Sequence, residues 1–195
     1  MRLRIATLAA ILGVLSASPS FAGHHLWDLT EIYSNGDGSV QFVELFTAAA
    51  NEQGVGPFTV TASGHTFNFV TNLSTTATAN TWILMATANF ASQTGGVTPD
   101  YIIPANFFNT GGGTMAYAGA VDVWNYGAVP TDGVHSLLRS GSIAVNSPEN
   151  FAHQTGSVNL GVSLPAFPSW ALILLCGALL FAASSFLRRR EMMTA

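Results

Sequence analysis

Acidic side chains are the main candidates for chemistry in the central part of this 195-residue chain. Glu31 and Glu44 lie in two neighbouring predicted strands, so they are expected to face each other across a hairpin. Paired carboxylates can perform the acid and base steps of glycoside hydrolysis, but such a pair is defined by distance and no spacing marks one here. An exported hydrolase that uses scattered acids therefore stays open as an alternative.

The turn "NGDGS", from Asn35 to Ser39, is rich in oxygen atoms through Asn35, Asp37 and the backbone of Gly38. Calcium takes about six to eight oxygen ligands, so the turn supplies too few by itself. An ordinary turn with solvent-facing acids is the favoured interpretation, and calcium binding at residues 35–38 is the alternative.

Histidines are scattered along the chain rather than grouped. His24 and His25 could chelate a metal, but adjacent residues in an extended segment point in opposite directions, which favours a solvated N-terminal segment. No G-x-S-x-G, H-E-x-x-H or phosphate-binding loop motif occurs, and the only cysteine is Cys176. We therefore predict no catalytic residue, no cofactor and no metal site.

Short strands are the elements that must position these side chains. Eight segments rich in Val, Ile, Thr and aromatic residues are separated by Gly, Asn, Asp or Pro clusters. The turn at residues 35–39 predicts that the first two strands pair as a hairpin. This pattern predicts an all-β sandwich or barrel. The segments are "LWDLTEIYS", "VQFVELFT", "FTVTA", "HTFNFV", "TWILMA", "DYIIP", "TMAYAG" and "VDVWNY".

Aromatic residues are the remaining candidates for binding. Trp27, Trp82 and Trp124 each lie in a predicted strand, so burial between sheets is expected for them. Phe107 and Phe108 follow a proline in a loop-like stretch, where exposure would create an apolar or sugar-stacking patch.

Charge and cysteine content exclude some classes of function. Residues 23–165 contain nine acids and one base, Arg139, which is a formal balance of −8, and the whole chain has no lysine. A polyanion would be repelled, so nucleic-acid binding is not expected. Because Cys176 lies outside this part, the central domain forms no internal disulfide and must be stabilised by its core.

The N-terminal end predicts export. "MRLR" is a positively charged start, residues 5–15 are apolar, and small residues precede a cleavage point between Ala22 and Gly23. This layout is typical of a secretory signal peptide, here residues 1–22. The β domain is then expected over residues 23–155.

The C-terminal end predicts a membrane helix. Residues 170–187 are 18 residues without charge, followed by Arg188, Arg189 and Arg190. A helix of this length spans about 27 Å, enough for one crossing of the hydrocarbon core. The arginines are expected to stay on the cytoplasmic side, which leaves the domain outside. Residues 156–164, "GSVNLGVSL", are small and polar enough for a flexible linker.

Four short motifs in the central part, read in order, resemble the lamin tail domain, an immunoglobulin-like β-sandwich. They are Glu31-Ile32, Val43-Glu44-Leu45, Val121-Asp122 and Leu138-Arg139. The resemblance covers roughly residues 26–139 and implies an immunoglobulin-like sandwich. The Trp usual after the final Arg is absent, and Phe151 stands in that region.

Residues 165–195 resemble the PEP-CTERM sorting signals of Gram-negative bacteria. The matching positions are Pro165, Pro168, Ser169, Trp170, Arg188, Arg189 and Arg190, although the Glu of the Pro-Glu-Pro motif is missing. The resemblance implies recognition by an exosortase-type membrane enzyme, and a plain stop-transfer anchor is the alternative.

Together these features predict an exported, non-enzymatic surface or extracellular-matrix protein. Its precursor would sit in the inner membrane with the domain outside, and the product would reach the cell surface or medium. Exopolysaccharide or other surface proteins are the expected partners.

Overall fold

The computed structural model describes residues 24–161. The predicted signal peptide and its cleavage point at Ala22 and Gly23 lie outside these residues, as do the sorting-signal positions from Pro165 to Arg190. Within the described residues the fold is all-β, and none of them forms a helix long and apolar enough to cross a membrane.

Ten strands occur among residues 24–161, and every segment predicted as a strand contains one. The strands are β1 Asp28–Ser34, β2 Gln41–Thr47, β3 Thr59–Ala62, β4 His65–Asn68, β5 Thr81–Thr87, β6 Tyr101–Ile103, β7 Gly113–Tyr117, β8 Asp122–Tyr126, β9 His135–Leu138 and β10 Ile143–Val145. The predicted hairpin of β1 and β2 is confirmed, since the two strands pair antiparallel. Gly38 takes a positive φ of 71° in the turn between them.

The strands form two sheets. A six-stranded sheet has the order β10-β9-β1-β2-β5-β6, and a four-stranded sheet has the order β4-β3-β7-β8. All neighbouring pairs are antiparallel except β5 and β6.

The main core combines side chains of both sheets, as in a β-sandwich. Strand alternation directs Val43, Leu45 and Ile83 of the six-stranded sheet towards Val60 and Met115 of the four-stranded sheet, and all are buried. A β-bulge between Leu29 and Glu31 adds one residue to β1. Since the bulge resets the alternation, Leu29 and Ile32 both reach this core and Glu31 faces away from it.

A second apolar cluster covers the outer face of the six-stranded sheet, the face turned away from the four-stranded sheet. Tyr33, Phe42 and Leu84 of the sheet pack there against Phe90 and Val158. Strands β2 and β5 are therefore buried on both faces, which explains why "WILMA" in β5 is apolar without alternation.

Residues 146–161, which we name the strap, cross this outer face. The Leu160 N–H donates to Gly133 O at 2.7 Å, and the Ser157 N–H donates to Gly95 O at 3.1 Å. Gly95 has a φ of 80° and a Cβ at this position would collide with the Ser157 carbonyl, so the close approach requires glycine. Residues 156–161 thus belong to the packed domain rather than to the flexible linker expected over residues 156–164.

Candidate functional site

Glu31 and Glu44 come together on the outer face of the six-stranded sheet. They are directly opposite each other in the pairing of β1 with β2, as expected from the hairpin. Both are buried, with 3% and 4% of their surface exposed. Two buried carboxylates side by side are costly unless hydrogen bonds or protonation compensate for the lost solvent.

Main-chain N–H groups of the strap supply that compensation. The Ser147 N–H donates to Glu31 Oε1 and the Ser147 hydroxyl to Oε2, each at 2.9 Å. Two residues later, the Glu149 N–H donates to Glu44 Oε2 at 2.8 Å.

Asp100 continues the same pattern. The Phe151 N–H donates to Asp100 Oδ2 at 2.9 Å, and the Leu84 N–H of β5 donates to the same oxygen at 2.8 Å. Alternate strap residues, 147, 149 and 151, therefore each place one N–H on a carboxylate of the body of the domain. We name Glu31, Glu44 and Asp100 the carboxylate row.

Burial affects the acidity of Glu44 and of Asp100. Loss of solvent raises the pKa of Glu44 to about 8 from its ordinary 4.5, and the neighbouring Glu31 adds to the effect. Burial also raises the pKa of Asp100. At neutral pH Glu44 is therefore mainly protonated, which avoids two adjacent buried negative charges.

The geometry of the carboxylate row suits attachment of the strap to the rest of the domain rather than reaction with a substrate. Both oxygens of Glu31 accept from Ser147, and the second oxygen of Glu44 accepts from the Thr30 hydroxyl at 3.3 Å. A general acid or base must reach a substrate atom, whereas these oxygens face groups of the same domain.

The rings of Phe46 and Trp82 lie on the same outer face, with centroids 4.8 Å apart, and we name them the aromatic pair. His153 of the strap contacts Trp82 at 6.1 Å between centroids and its Nδ1 lies 2.7 Å from Glu149 Oε1. Trp82 is only half-buried, in contrast to the burial between sheets that was expected for it, while Trp27 and Trp124 are buried in the main core.

An open cleft of about 280 Å³ adjoins Phe46. It combines the half-exposed Leu26 side chain with a carboxylate and an imidazole, and such a mixture suits a ligand that has both an apolar face and hydroxyl groups. The lining residues are His25, Leu26, Asp28, Phe46, Thr47, Ala48 and Ala49.

The turn considered for calcium is occupied by its own hydrogen bonds. Asp37 Oδ1 accepts the Ser39 N–H at 2.9 Å, and Asn35 Oδ1 accepts the Val40 N–H at 3.1 Å. The contacts with Ser39 lower the pKa of Asp37. Asp37 is the one carboxylate lining the adjacent cleft, and residues 24–161 contain no group of three or more His, Cys, Asp or Glu side chains that could hold a metal ion.

Histidines do not converge among the described residues. The His24 ring stacks on Phe58 with centroids 3.6 Å apart, and His25 meets His24 edge-on. His65 Nδ1 is 3.0 Å from Phe107 O, and His135 pairs with Asp132 at 2.6 Å.

The expected exposure of Phe107 and Phe108 is wrong. Phe107 is fully buried and Phe108 is 2% exposed, because this loop folds back over the main core. The Gln41 amide fixes the loop through its Nε2, which donates to Phe108 O at 3.1 Å. The apolar rings therefore close the core instead of forming a surface patch.

Sequence reasoning missed two features of the site. One is the strap, whose donors come from residues more than 100 positions away from Glu31 and Glu44. The other is an ion pair between Asp122 and Arg139, with Nη2 to Oδ1 at 2.7 Å. These two residues belong to separate short motifs in the sequence, and only folding brings them together.

Comparison with known proteins identifies no relative of this chain. No family model matches the chain, and neither the curated proteins nor the solved structures contain a match.

Proposed function

We propose that this chain is an exported, non-enzymatic surface or extracellular-matrix protein. Its β domain, which resembles the immunoglobulin-like lamin tail, would bind or connect components outside the cell. A C-terminal sorting signal read by an exosortase-type enzyme would deliver it there. The observation that carries the proposal is that each side-chain oxygen of Glu31 and Glu44 contacts a donor of the domain itself.

Export is supported by the two ends of the sequence. The proposed cleavage between Ala22 and Gly23 and the proposed signal at residues 165–195 place the domain outside the inner membrane. The acidic balance of −8 over residues 23–165 fits a soluble exterior domain that does not bind nucleic acid.

The binding surface we favour is the aromatic pair with its cleft. Stacking of a sugar ring on Phe46 or Trp82, with hydroxyl groups bound by Asp28, would recognise a neutral polysaccharide. An anionic polysaccharide is disfavoured because the domain is itself negative.

Intact mass of the protein recovered from its host envelope tests the sorting proposal. A product that begins at Gly23 and ends near Pro165, or carries an added group there, is expected. Replacing Arg188, Arg189 and Arg190 by Ser should abolish the C-terminal change and leave the N-terminal cut. A wild-type product that still ends at Ala195 would refute processing.

Polysaccharide binding is tested separately by titration of the host's neutral exopolysaccharide. Trp82→Ala should weaken binding about tenfold, since stacking of this kind contributes roughly 1 to 1.5 kcal/mol. Trp124→Phe, in the main core, is the matched control and should bind as wild type. Equal binding by Trp82→Ala would exclude this surface.

A hydrolase remains the second candidate because the pKa of Glu44 is raised beside a second carboxylate. A carboxyl that keeps its proton beside a second carboxyl is typical of glycosidase sites. Release of reducing ends from the same polysaccharide decides the question, with Glu44→Gln as the inactive variant and Asp37→Asn, at an exposed turn residue outside the cleft at Phe46, as the control. Turnover that Glu44→Gln abolishes would replace the first candidate with this one.

A further inference from the structure

The two sheets have four edge strands, and three of them carry features that discourage pairing with another chain. At β8, the Arg139 guanidinium donates to Val123 O at 3.0 Å and blocks an outward-facing carbonyl. β6 is followed at once by Pro104. β4 is mostly exposed and polar, with His65 and Asn68 at its ends. Bound side chains, proline and polar residues are common means of protecting an edge.

Strand β10 has none of these features among the residues that the structure describes. Its Ile143 and Val145 are 63% and 55% exposed and lie on the same face. The surrounding residues 140–148 contain no charge, although the domain as a whole is strongly acidic. An uncharged edge strand with exposed aliphatic side chains is a site for strand pairing.

Main-chain hydrogen bonds determine which groups of β10 are available. The Leu138 N–H donates to Ser142 O at 2.9 Å and the Asn146 N–H donates to Val134 O at 3.1 Å. In an antiparallel ladder the bonded residues alternate, so residues 142, 144 and 146 face β9. The N–H and C=O groups of Ile143 and Val145 therefore point away from the sheet.

We propose that β10 pairs antiparallel with β10 of a second copy of this chain, about a two-fold axis at Ala144. This register sets Ile143 opposite Val145 of the partner subunit and engages every outward-pointing main-chain group of these two residues. It also joins two aliphatic pairs on one face, so the surface is complementary to itself. Two six-stranded sheets become one continuous sheet across the axis.

Disulfide cross-linking of the full chain tests this register. Ala144→Cys is combined with Cys176→Ser, and the membrane-extracted protein is mildly oxidised. The two Ala144 residues form a non-hydrogen-bonded pair with Cα atoms about 4.5 Å apart, a distance that a disulfide accommodates. A covalent dimer is expected.

Ser142→Cys in the same background is the matched control. In the proposed register the two copies of residue 142 are offset by four positions, roughly 13 Å, so no cross-link should form. The proposal is overturned if the Ser142→Cys variant links as readily as the Ala144→Cys variant, or if neither variant links at any protein concentration.

Sedimentation equilibrium gives an independent measurement. Val145→Lys places like charges close together across the axis and should weaken dimerisation at least tenfold. Its thermal unfolding should match that of wild type at protein concentrations low enough for both to be monomeric, because Val145 is mostly exposed. Val70→Lys, at a residue that is 83% exposed and outside the edge strands, should dimerise as wild type. A wild-type chain that is monomeric throughout, or a Val145→Lys dimer of unchanged affinity, contradicts the proposal.

Discussion

Two buried carboxylates in this domain are stabilised in opposite ways. Asp122, at the edge of the four-stranded sheet, is 8% exposed and accepts hydrogen bonds from Nη1 and Nη2 of Arg139, at 3.1 and 2.7 Å. Glu44, on the outer face of the six-stranded sheet, is similarly buried but has no cationic partner among residues 24–161. Its compensation comes from hydrogen bonds and a raised pKa instead.

The difference follows from the composition of the chain. Arg139 is the only Lys or Arg between residues 24 and 161, so one buried acid can have an ion pair and the others cannot. The carboxylates of the row are instead stabilised by hydrogen bonds that they accept from main-chain N–H groups of the strap. Consequently, the contact between Glu44 and the strap depends on the protonation of Glu44, whereas the Asp122 contact depends on a permanent cation.

The largest expected effect is on the pH dependence of stability, through Glu44→Gln. Folded Glu44 keeps its proton up to about pH 8, whereas the unfolded chain releases it near pH 4.5, so stability falls as the pH rises between these values. The wild type should lose up to about 4 kcal/mol more than Glu44→Gln across this range.

Urea unfolding at pH 5, 6.5 and 8 measures this effect, with Asp28→Asn as an exposed control that should keep the wild-type profile. The amide introduced at position 44 can accept from Glu149 and donate to Thr30, so the variant is expected to fold. Parallel pH profiles for wild type and Glu44→Gln would show that Glu44 is ionised in the folded domain.

Next in size is the loss of the ion pair between Arg139 and Asp122. Arg139→Met leaves Asp122 buried with only the Leu29 N–H, which donates at 2.8 Å. The free energy of unfolding should fall by about 2 to 3 kcal/mol, less than the roughly 3 to 5 kcal/mol for a fully buried pair, because Arg139 is partly exposed. The double variant Arg139→Met with Asp122→Asn should recover part of the loss. A single variant as stable as wild type would remove the contrast between the two sites.

A smaller effect is expected for Ser147→Ala. The change removes one hydroxyl bond to Glu31 Oε2 and keeps the main-chain bond, so about 1 kcal/mol of stability should be lost. Hydrogen exchange should show faster opening at the amides of residues 147–151 and no change in β7. Ser142→Ala, an exposed serine outside the strap, is the control. Uniformly faster exchange would mean that the strap does not open by itself.

The smallest effect concerns Asp132, a surface carboxylate. Main-chain N–H groups of His135 and Val134 lower its pKa to about 2. Its contribution is present above its ordinary pKa range and is lost as the pH falls towards 2. Asp132→Asn should therefore lower stability at pH 7 by less than about 1 kcal/mol, and urea unfolding should show this difference from wild type disappearing as the pH approaches 2. A difference that stays constant with pH would mean that the charge of Asp132 makes no contribution.

Local patterns in the sequence predicted the strands well. Alternation in "FTVTA" and the turn at Asn35 to Ser39 are decided by neighbouring residues, and both were confirmed. The facing of Glu31 and Glu44 followed from the same hairpin. Pairing between strands that are neighbours in the sequence can be predicted because the geometry of the connecting turn determines the register.

Long-range coverage could not be predicted in the same way. The composition of residues 156–161 suits a flexible linker, yet Val158 is fully buried and its N–H donates to Asn146 Oδ1 at 2.7 Å. The burial of Phe107 and Phe108 depends on Gln41, more than 60 positions earlier. Such contacts are determined by packing between distant segments. They produce no periodic pattern of apolar and polar residues from which they could be predicted.

The strap has a mechanical consequence because it is the last described part of the chain. A pull transmitted from beyond Gly161 would reach the Leu160 bond to Gly133 first, then the Val158 bonds to Asn146 and the Ser157 bond to Gly95, and only later the bonds to the carboxylates. These contacts would therefore break one after another rather than together. The strands of the sandwich would bear no load until the strap, about fifteen residues long, had detached and extended. The strap would thus protect the two sheets from force applied at its C-terminal end.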